Sequence, residues 1–393
     1  MEMIPFEKAF EVVMSSAFST GTETVPFTDS LNRILAAPVI SDMDMPPFNK
    51  SSVDGFAIRK SDIDSDLEII ETIPAGKYPE KSIAVNQCSR IMTGAPVPEG
   101  ADCVIMVEDT EIQPSGKVKF KGTFRKENIA FRAEDIKKGD VVLEPGRIIR
   151  PQDIAVMASV GHISVKVSRK PRIGVISSGS ELVEPYDKPS VSQIRNSNSF
   201  QLMAQVERAG GLGKYYGIAR DDVEITLSIV EKAITENDIV LISGGVSMGD
   251  FDFVPSVLER AGVKLLFSRV AIQPGKPTIF GLHEKSVIFG LPGNPVSSFI
   301  IFELLTRPLI CKMMGYQLKP LEIRLQMKEK FSRKYAERMA LIPVIITDDG
   351  MVMPSEFHGS AHISALPQSD GIVALNAGIN TIEKGEIVSV RQI

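Results

Sequence analysis

The stretch Ile239-Val240-Leu241-Ile242-Ser243-Gly244-Gly245-Val246-Ser247-Met248-Gly249-Asp250 decides the fold. Four apolar residues in a row, without alternation, predict a strand covered on both faces. The Ser/Gly run behind them predicts a loop whose backbone can come close to a ligand. Upstream, Ile225, Ile229, Val230, Ala233 and Ile234 recur at helical spacing and predict a helix over 223–234. Downstream, 254–260 reads as another helix. A buried strand between helices marks a βαβ unit, and so right-handed crossovers and a largely parallel sheet.

The alternation continues outward. Apolar runs at 173–176 and 287–289 predict strands, as does 215–218, while 263–272 reads as extended. Helices are predicted at 200–209, stopped by Gly210-Gly211, and at 296–306. After Pro320 the character turns to β. Ile323, Leu325 and Met327 alternate, and Asp348-Asp349-Gly350 lies between two apolar runs as a hairpin signal. On the other side, Asp54-Gly55, Pro98-Glu99-Gly100, Pro114-Ser115-Gly116 and Lys138-Gly139-Asp140 punctuate short strands. Helical spacing predicts helices at 5–17 and 151–160 and helical character at 31–36, ended by Pro38. The basic run Lys166 to Arg172 reads as a solvated linker.

Composition limits the function classes. With 393 residues the chain exceeds one ordinary core. Its 43% hydrophobic and 24% charged residues are ordinary for globular protein. A net charge of −5 gives no global attraction to nucleic acid or to an anionic membrane. The 3 cysteines, Cys88, Cys103 and Cys311, are far apart and form no metal or disulfide pattern, so they read as small buried hydrophobes of a reducing compartment. No secretory leader or stretch of membrane-spanning length is visible, which predicts a cytoplasmic protein without a membrane partner.

In a parallel α/β sheet, ligands bind beyond the carboxyl ends of the strands. The loops after Ile176, Ile242, Ile272 and Phe289 are therefore expected on one edge. They carry Ser177-Ser178-Gly179-Ser180-Glu181, Ser243 to Asp252, Gln273-Pro274-Gly275-Lys276-Pro277, and Gly290-Leu291-Pro292-Gly293-Asn294-Pro295. Gly and Ser before a helix turn backbone N–H groups and the helix dipole toward an anion. Lys276 adds a full charge, and Asp250 and Asp252 supply hard oxygen ligands suited to Mg²⁺. Each loop also has a structural explanation: Gly244-Gly245 as a tight turn, Asp252 and one of Asp221 and Asp222 as helix caps, Glu181 as a solvated acid, Pro292 to Pro295 as a rigid turn. Four such loops at four strand ends favour a phosphate-and-metal site. No Gly-x-x-x-x-Gly-Lys-Ser/Thr is present, and no Gly-x-Gly-x-x-Gly follows the first strand, which argues against a P-loop NTPase and a dinucleotide site. His162, His283, His358 and His362 join no nucleophile motif.

The loops around Gly244, Lys276 and Pro292, together with Ser52-Val53-Asp54-Gly55-Phe56-Ala57, Met92-Thr93-Gly94-Ala95-Pro96 and Phe131-Arg132-Ala133-Glu134-Asp135, resemble the molybdopterin molybdenumtransferases. This is the MoeA family, which includes the E domain of gephyrin. The matches run in order along nearly the whole chain. The resemblance implies an α/β plus β, multidomain, elongated chain. Its expected parts are a discontinuous N-terminal helical and linking domain (1–44 with 141–170), a β-rich second domain (45–140), a central three-layer α/β/α molybdopterin-binding domain (171–318) and a C-terminal β-barrel-like domain (319–393).

The implied reaction inserts molybdate-derived molybdenum into adenylylated molybdopterin with release of AMP, and it depends on a divalent cation, Mg²⁺. The implied partners are a second copy of the chain, a molybdopterin adenylyltransferase that supplies the substrate, and molybdoenzyme apoproteins that receive the product. Carried onto matching positions, the functional residues are Asp54, Thr93, Asp135, Glu181, Asp221 and Asp252, with Asp252, Asp221 and Glu181 holding the metal. Substrate contacts are implied at Ser177, Gly179, Gly244, Gly245, Ser247, Gly249, Asp250, Lys276, Pro292, Gly293, Asn294, Pro295, Arg338 and Ser360. The cleft is implied between the α/β domain of one copy and the β-rich domain of the other. The chain departs from the pattern at Gln273, where many members carry lysine; Arg269 nearby is basic as in relatives. Three other readings remain open: a molybdopterin adenylyltransferase, a gephyrin-like scaffold for partner peptides, and tungstate in place of molybdate.

Overall fold

The computed structural model describes residues 2–220, 222–246, 253–355 and 362–393. The centre is a six-stranded sheet in the order Leu212–Ala219, Arg172–Ser178, Ile239–Ser243, Val287–Leu291, Ile279–Leu282, Lys264–Phe267. The first four strands are parallel; Ile279–Leu282 runs antiparallel to Val287–Leu291, and Lys264–Phe267 antiparallel to Ile279–Leu282. The sheet is thus mixed rather than parallel throughout. The segment expected to be extended over 263–272 is two strands, and only the first, Lys264–Phe267, joins this sheet.

The unbroken apolar strands are covered on both faces, as their sequence requires. Successive side chains point to opposite faces, and the residues divide accordingly. Ile173, Val175, Ile239, Leu241, Val287 and Phe289 pack with Leu202 and Val206 of helix Asn198–Arg208 and with Val296 and Ile300 of helix Pro295–Ile301. Ile176, Val240, Ile242 and Ile288 pack instead with Val230 of helix Val223–Glu236 and with Val254 and Val257 of helix Val254–Arg260. This division builds the α/β/α layers.

The sequence predicts one helix over 296–306. It runs through Pro295–Ile301, widens into a π-helical turn at Phe302–Thr306, and continues as Arg307–Met313. At that turn the buried Glu303 accepts from Gln205 (2.7 Å), Arg208 and Arg307 (2.8 Å), and its carbonyl accepts from Arg391 at 3.0 Å. Glu303 thereby ties two helices of the central layer together through its carboxylate, and to the last strand of the chain, Ile387–Gln392, through its carbonyl.

The N-terminal helix Phe6–Ser15 buries Ala9 and Val13 in the larger central core. The segment 31–36, expected to be helical, is not. Asn32 has φ +62°, and Ile34 and Leu35 form isolated β-bridges to Ile148 and Val167. Both side chains are buried, so long-range bridges override local helical spacing. Strand Thr22–Pro26 pairs with Ser164–Ser168, and Val39–Ile40 with Val141–Leu143, so chain from both sides of the β-rich region shares one small core.

The β-rich region is a four-stranded sheet in the order Glu68–Ile73, Gln87–Ile91, Gly55–Ile58, Cys103–Met106. Asp54-Gly55 is the entry to a strand rather than a turn. A Cβ on Gly55 would lie 1.9 Å from Ile105 O, so glycine there permits close strand approach. All three thiols are buried, which pushes Cys88 up to about 12 and Cys103 and Cys311 to about 11.

The C-terminal sheet runs Ile272–Gln273, Met339–Ile346, Gly371–Leu375, Ile387–Gln392, Glu322–Gln326. The hairpin expected around Asp348-Asp349-Gly350 is present, pairing Met339–Ile346 with Val352–Pro354. Its edges are not joined among the described residues, so the sheet is open where a barrel-like closure was expected. No helix among the described residues is long and apolar enough to cross a membrane.

Candidate active site

Three of the four expected loops leave the carboxyl ends of adjacent parallel strands. Ser177, Ser243 and Leu291 end strands that pair in register, Ser177 with Ser243 and Ser243 with Leu291. Beyond them opens a cavity of about 750 Å³. Ser177, Gly179 and Glu181 line one side, Gly244 and Gly245 the middle, and Pro292, Gly293, Asn294 and Pro295 the other. The fourth loop arrives differently. Its strand Ile272–Gln273 pairs with Met339 and Ala340 of the C-terminal sheet, and the chain re-enters the central sheet only after the loop, at Ile279–Leu282. Pro277 reaches the cavity wall, whereas Lys276 is exposed and outside the lining.

Gly244 fixes the middle of the site. It lies at φ +96°, and a Cβ there would sit 2.2 Å from Ser178 O. Its N–H donates to Leu291 O at 3.0 Å, and the Gly179 N–H donates to Ala219 O at 3.2 Å. These two N–H groups hold loops together and are not free for an anion. Positive potential comes instead from two helix starts at the wall, Ser197-Asn198 and Asn294-Pro295, and from the cation Arg195. The Arg195 Nε donates to Asp187 O at 3.2 Å.

A buried polar chain supports the floor. Tyr215 donates to Glu184 Oε1 and accepts from Asn196 Nδ2, both at 2.8 Å. Asn196 Oδ1 accepts from Ser177 Oγ at 2.9 Å, and Ser177 Oγ lies 2.6 Å from Ser199 Oγ. Burial, then Glu184, pushes the Tyr215 phenol well above its usual range, so it stays a donor. Asn198 spans the loops, donating to Ser243 Oγ and Gly293 O at 2.8 Å each.

In the β-rich region, Asp54 and Thr93 meet. The Thr93 N–H and Oγ1 both donate to Asp54 Oδ1, at 2.6 and 2.8 Å, and hold this exposed carboxyl below its usual range. Asp135 is exposed, its N–H donating to Met45 O at 3.1 Å. Neither Asp54, Thr93 nor Asp135 lines the cavity of its own chain. Arg338 donates to Ile272 O at 3.2 Å, behind the Gln273 loop and outside the cavity lining. Asp221, Ser247, Gly249, Asp250, Asp252 and Ser360 lie outside the described residues.

Sequence reading missed Arg195, Asn196, Asn198 and Ile363. The Asn/Ser-rich stretch before helix Asn198–Arg208 carries a capping-like signal, but nothing local says that it faces a cavity. Ile363 comes from the C-terminal region, far along the chain from the wall helix Pro295–Ile301, and no pattern links the two.

The chain matches three family models in order: "MoeA N-terminal region (domain I and II)" over residues 4–161, "Probable molybdopterin binding domain" over 174–312, and "MoeA C-terminal region (domain IV)" over 325–393. It is 36% identical over 398 aligned positions to a molybdopterin molybdenumtransferase of Staphylococcus epidermidis, covering 98% of this chain and 95% of the relative. The enzyme of that name from Staphylococcus aureus is 34% identical with the same coverage. A solved molybdopterin biosynthesis moeA protein from Pyrococcus horikoshii OT3 superposes with TM-score 0.86 and 30% identity over 100% of both chains.

Proposed function

Since this chain belongs to the molybdopterin molybdenumtransferase family, we propose that its sheet-edge cavity is where molybdopterin is loaded with metal. The enzyme transfers molybdenum into molybdopterin in molybdenum cofactor biosynthesis. The observation that carries the placement is the convergence on one cavity of three strand-end loops that all lie within residues 174–312, the span of the molybdopterin-binding model.

In this reading the substrate is adenylylated molybdopterin. Its phosphoanhydride lies against the helix starts at Asn198 and Pro295 and beside Arg195, where partial and full positive charge stabilise developing negative charge. Ser177, Gly179, Gly244, Gly245, Pro292, Gly293 and Asn294 shape the cradle, and Ser247, Gly249 and Asp250 are further substrate contacts. Molybdate is the second substrate, approached from the Gln273–Pro277 loop with Lys276, Arg338 and Ser360. One water adds across the anhydride, so that AMP leaves and the other phosphate stays on the pterin.

The donor set suits Mg²⁺: Glu181 brings a carboxylate to the cavity lining, and Mg²⁺ typically takes one or two carboxylates with substrate phosphate. Glu181, with Asp221 and Asp252, would hold the ion, which would supply charge neutralisation at the phosphates. Among the described residues no group of three or more His, Cys, Asp or Glu side chains is placed to hold a metal without substrate.

The working unit is an elongated homodimer in which Asp54, Thr93 and Asp135 of a second copy close the cleft. Domain limits are 1–44 with 141–170, 45–140, 171–318 and 319–393. The enzyme works in the cytoplasm, taking substrate from the adenylyltransferase and passing product to apoenzymes. The test is a metal-insertion assay on the purified chain with adenylylated molybdopterin, Mg²⁺ and either molybdate or tungstate, reading AMP and metal-loaded cofactor together. Stoichiometric AMP and loaded cofactor support the reading; AMP without metal in the product, or ATP consumption with free molybdopterin, overturns it.

A further inference from the structure

Two asparagines border the cavity, and they differ in one respect. Asn196 is engaged at both ends of its amide: Oδ1 accepts from Ser177 Oγ and from the Ser199 N–H, and Nδ2 donates to Tyr215. Asn198, 8% exposed, is engaged at one end only. Its Nδ2 donates to Ser243 Oγ and to Gly293 O, while its Oδ1 has no partner among the described residues.

The orientation of this amide is not interchangeable. The Gly293 carbonyl can only accept, so the nitrogen must face it, and both amide hydrogens are then used. Oδ1 is left as a buried acceptor of fixed position with no donor. Native proteins keep few such groups, because an unpaired buried acceptor is unfavourable; those that persist at a cavity are completed by a ligand or ordered water. Ser178 Oγ, also buried and without a partner, lies at the end of strand Arg172–Ser178 on the lining of the same cavity.

An acceptor without a donor selects among the parts of the proposed substrate. Phosphate and molybdate oxygens are acceptors at neutral pH and gain nothing from Oδ1. A pterin carries N–H donors along its pyrimidine edge, at N3 and at the 2-amino group. We propose that Asn198 Oδ1 is a specificity-determining acceptor for an N–H of the pterin edge, so that the cavity beside Gly293 reads the heterocycle while the helix starts hold the anion. This rests on the molybdopterin-loading reading above. The adenine amino group offers the same donor chemistry, and the experiment separates the two.

The folded full chain and Asn198→Ala are titrated by calorimetry with pterin, with two analogues lacking one donor each (3-methylpterin and 4-oxopteridine), and with AMP. Wild type is expected to prefer pterin over at least one analogue by about tenfold or more, the range of a lost hydrogen bond to a buried partner. Asn198→Ala is expected to bring that ratio close to one. A variant that weakens pterin and analogues by the same factor, keeping the ratio, overturns the assignment. So does a loss confined to AMP, which would give the acceptor to adenine. If Asn198→Ala does not fold, the wild-type ratios decide: values near one for both analogues overturn it. A folded wild type that binds no pterin overturns the loading reading itself, and the absence of any pterin signal tells that failure from the others.

Discussion

Gly244→Ala is predicted to damage the site from its floor, and Gly293→Ala, on the facing loop of the same cavity, is predicted to be tolerated. Gly244 lies at φ +96°, where an L side chain costs roughly 1–2 kcal/mol. The added Cβ would also lie 2.2 Å from Ser178 O. That oxygen is backbone at the end of a strand paired on both sides, so it cannot swing away as a side chain would. Relieving the contact needs a backbone shift of about 1 Å, adding on the order of 1–3 kcal/mol as overpacking does. The sum, roughly 2–5 kcal/mol, corresponds to a melting temperature lowered by at least about 4 °C for a domain of this size. At Gly293 the nearest atom to an added Cβ is Gly244 Cα at 3.7 Å, an ordinary contact, and its φ is not in the left-handed region. Its variant should stay within about 0.5 kcal/mol of wild type. Scanning calorimetry of the two variants, with cofactor loading measured in parallel, separates the cases because each adds one methyl to the same wall. Equal melting temperatures, or Gly244→Ala loading at the wild-type rate, would refute the reasoning.

Thr93→Val removes the hydroxyl donor to Asp54 but keeps the backbone one. The Asp54 carboxyl should then titrate at higher pH than in wild type, followed by its carboxyl carbon resonance. Its depressed folded pKa favours the folded state above the unfolded value of 3.8, and that contribution fades as pH falls through the folded value. Above pH 6 Asp54 stays ionised in both proteins, so a loss of loading there reflects geometry rather than charge; an unmoved titration contradicts the assignment. Tyr215→Phe cuts the chain between Glu184 and Asn196 and should cost about 1–2 kcal/mol in urea unfolding, with a raised KM for substrate and little change in kcat. Unchanged stability would mean that the chain does not support the floor. Glu303→Ala leaves Arg307 and Gln205 without their carboxylate partner and should cost about 3 kcal/mol, the low end for a broken buried pair because Arg208 reaches solvent. Denaturant midpoints within error of wild type would contradict that role.

The central layers were legible because their strands are short apolar runs ending in Gly, Ser or Pro, and both features act locally. The loops at Ser177, Gly244 and Pro292 announced a strand-end site for the same reason. The Gln273 loop follows an apolar run in the same way, yet its strand pairs with Met339 and Ala340, far along the chain, which no local pattern encodes. Ile34 and Leu35 carried helical spacing but are bridged to Ile148 and Val167, again a long-range decision. Asp54 and Thr93 are 39 positions apart, and Asp54-Gly55 carried only a turn signal; strand pairing in the β-rich sheet brings the two together. Asn198 was hidden because its value lies in which of its two amide atoms finds a partner. That depends on Ser243 and Gly293, which arrive from two other strands.

The most direct measurement is a crystal structure of the full chain with adenylylated molybdopterin. The substrate is predicted between Gly244-Gly245 and Pro292 to Pro295, its phosphates toward the starts of helices Asn198–Arg208 and Pro295–Ile301 and its pterin beside Asn198. Substrate bound outside the sheet-edge cavity, with these loops untouched, would contradict the assignment of the site.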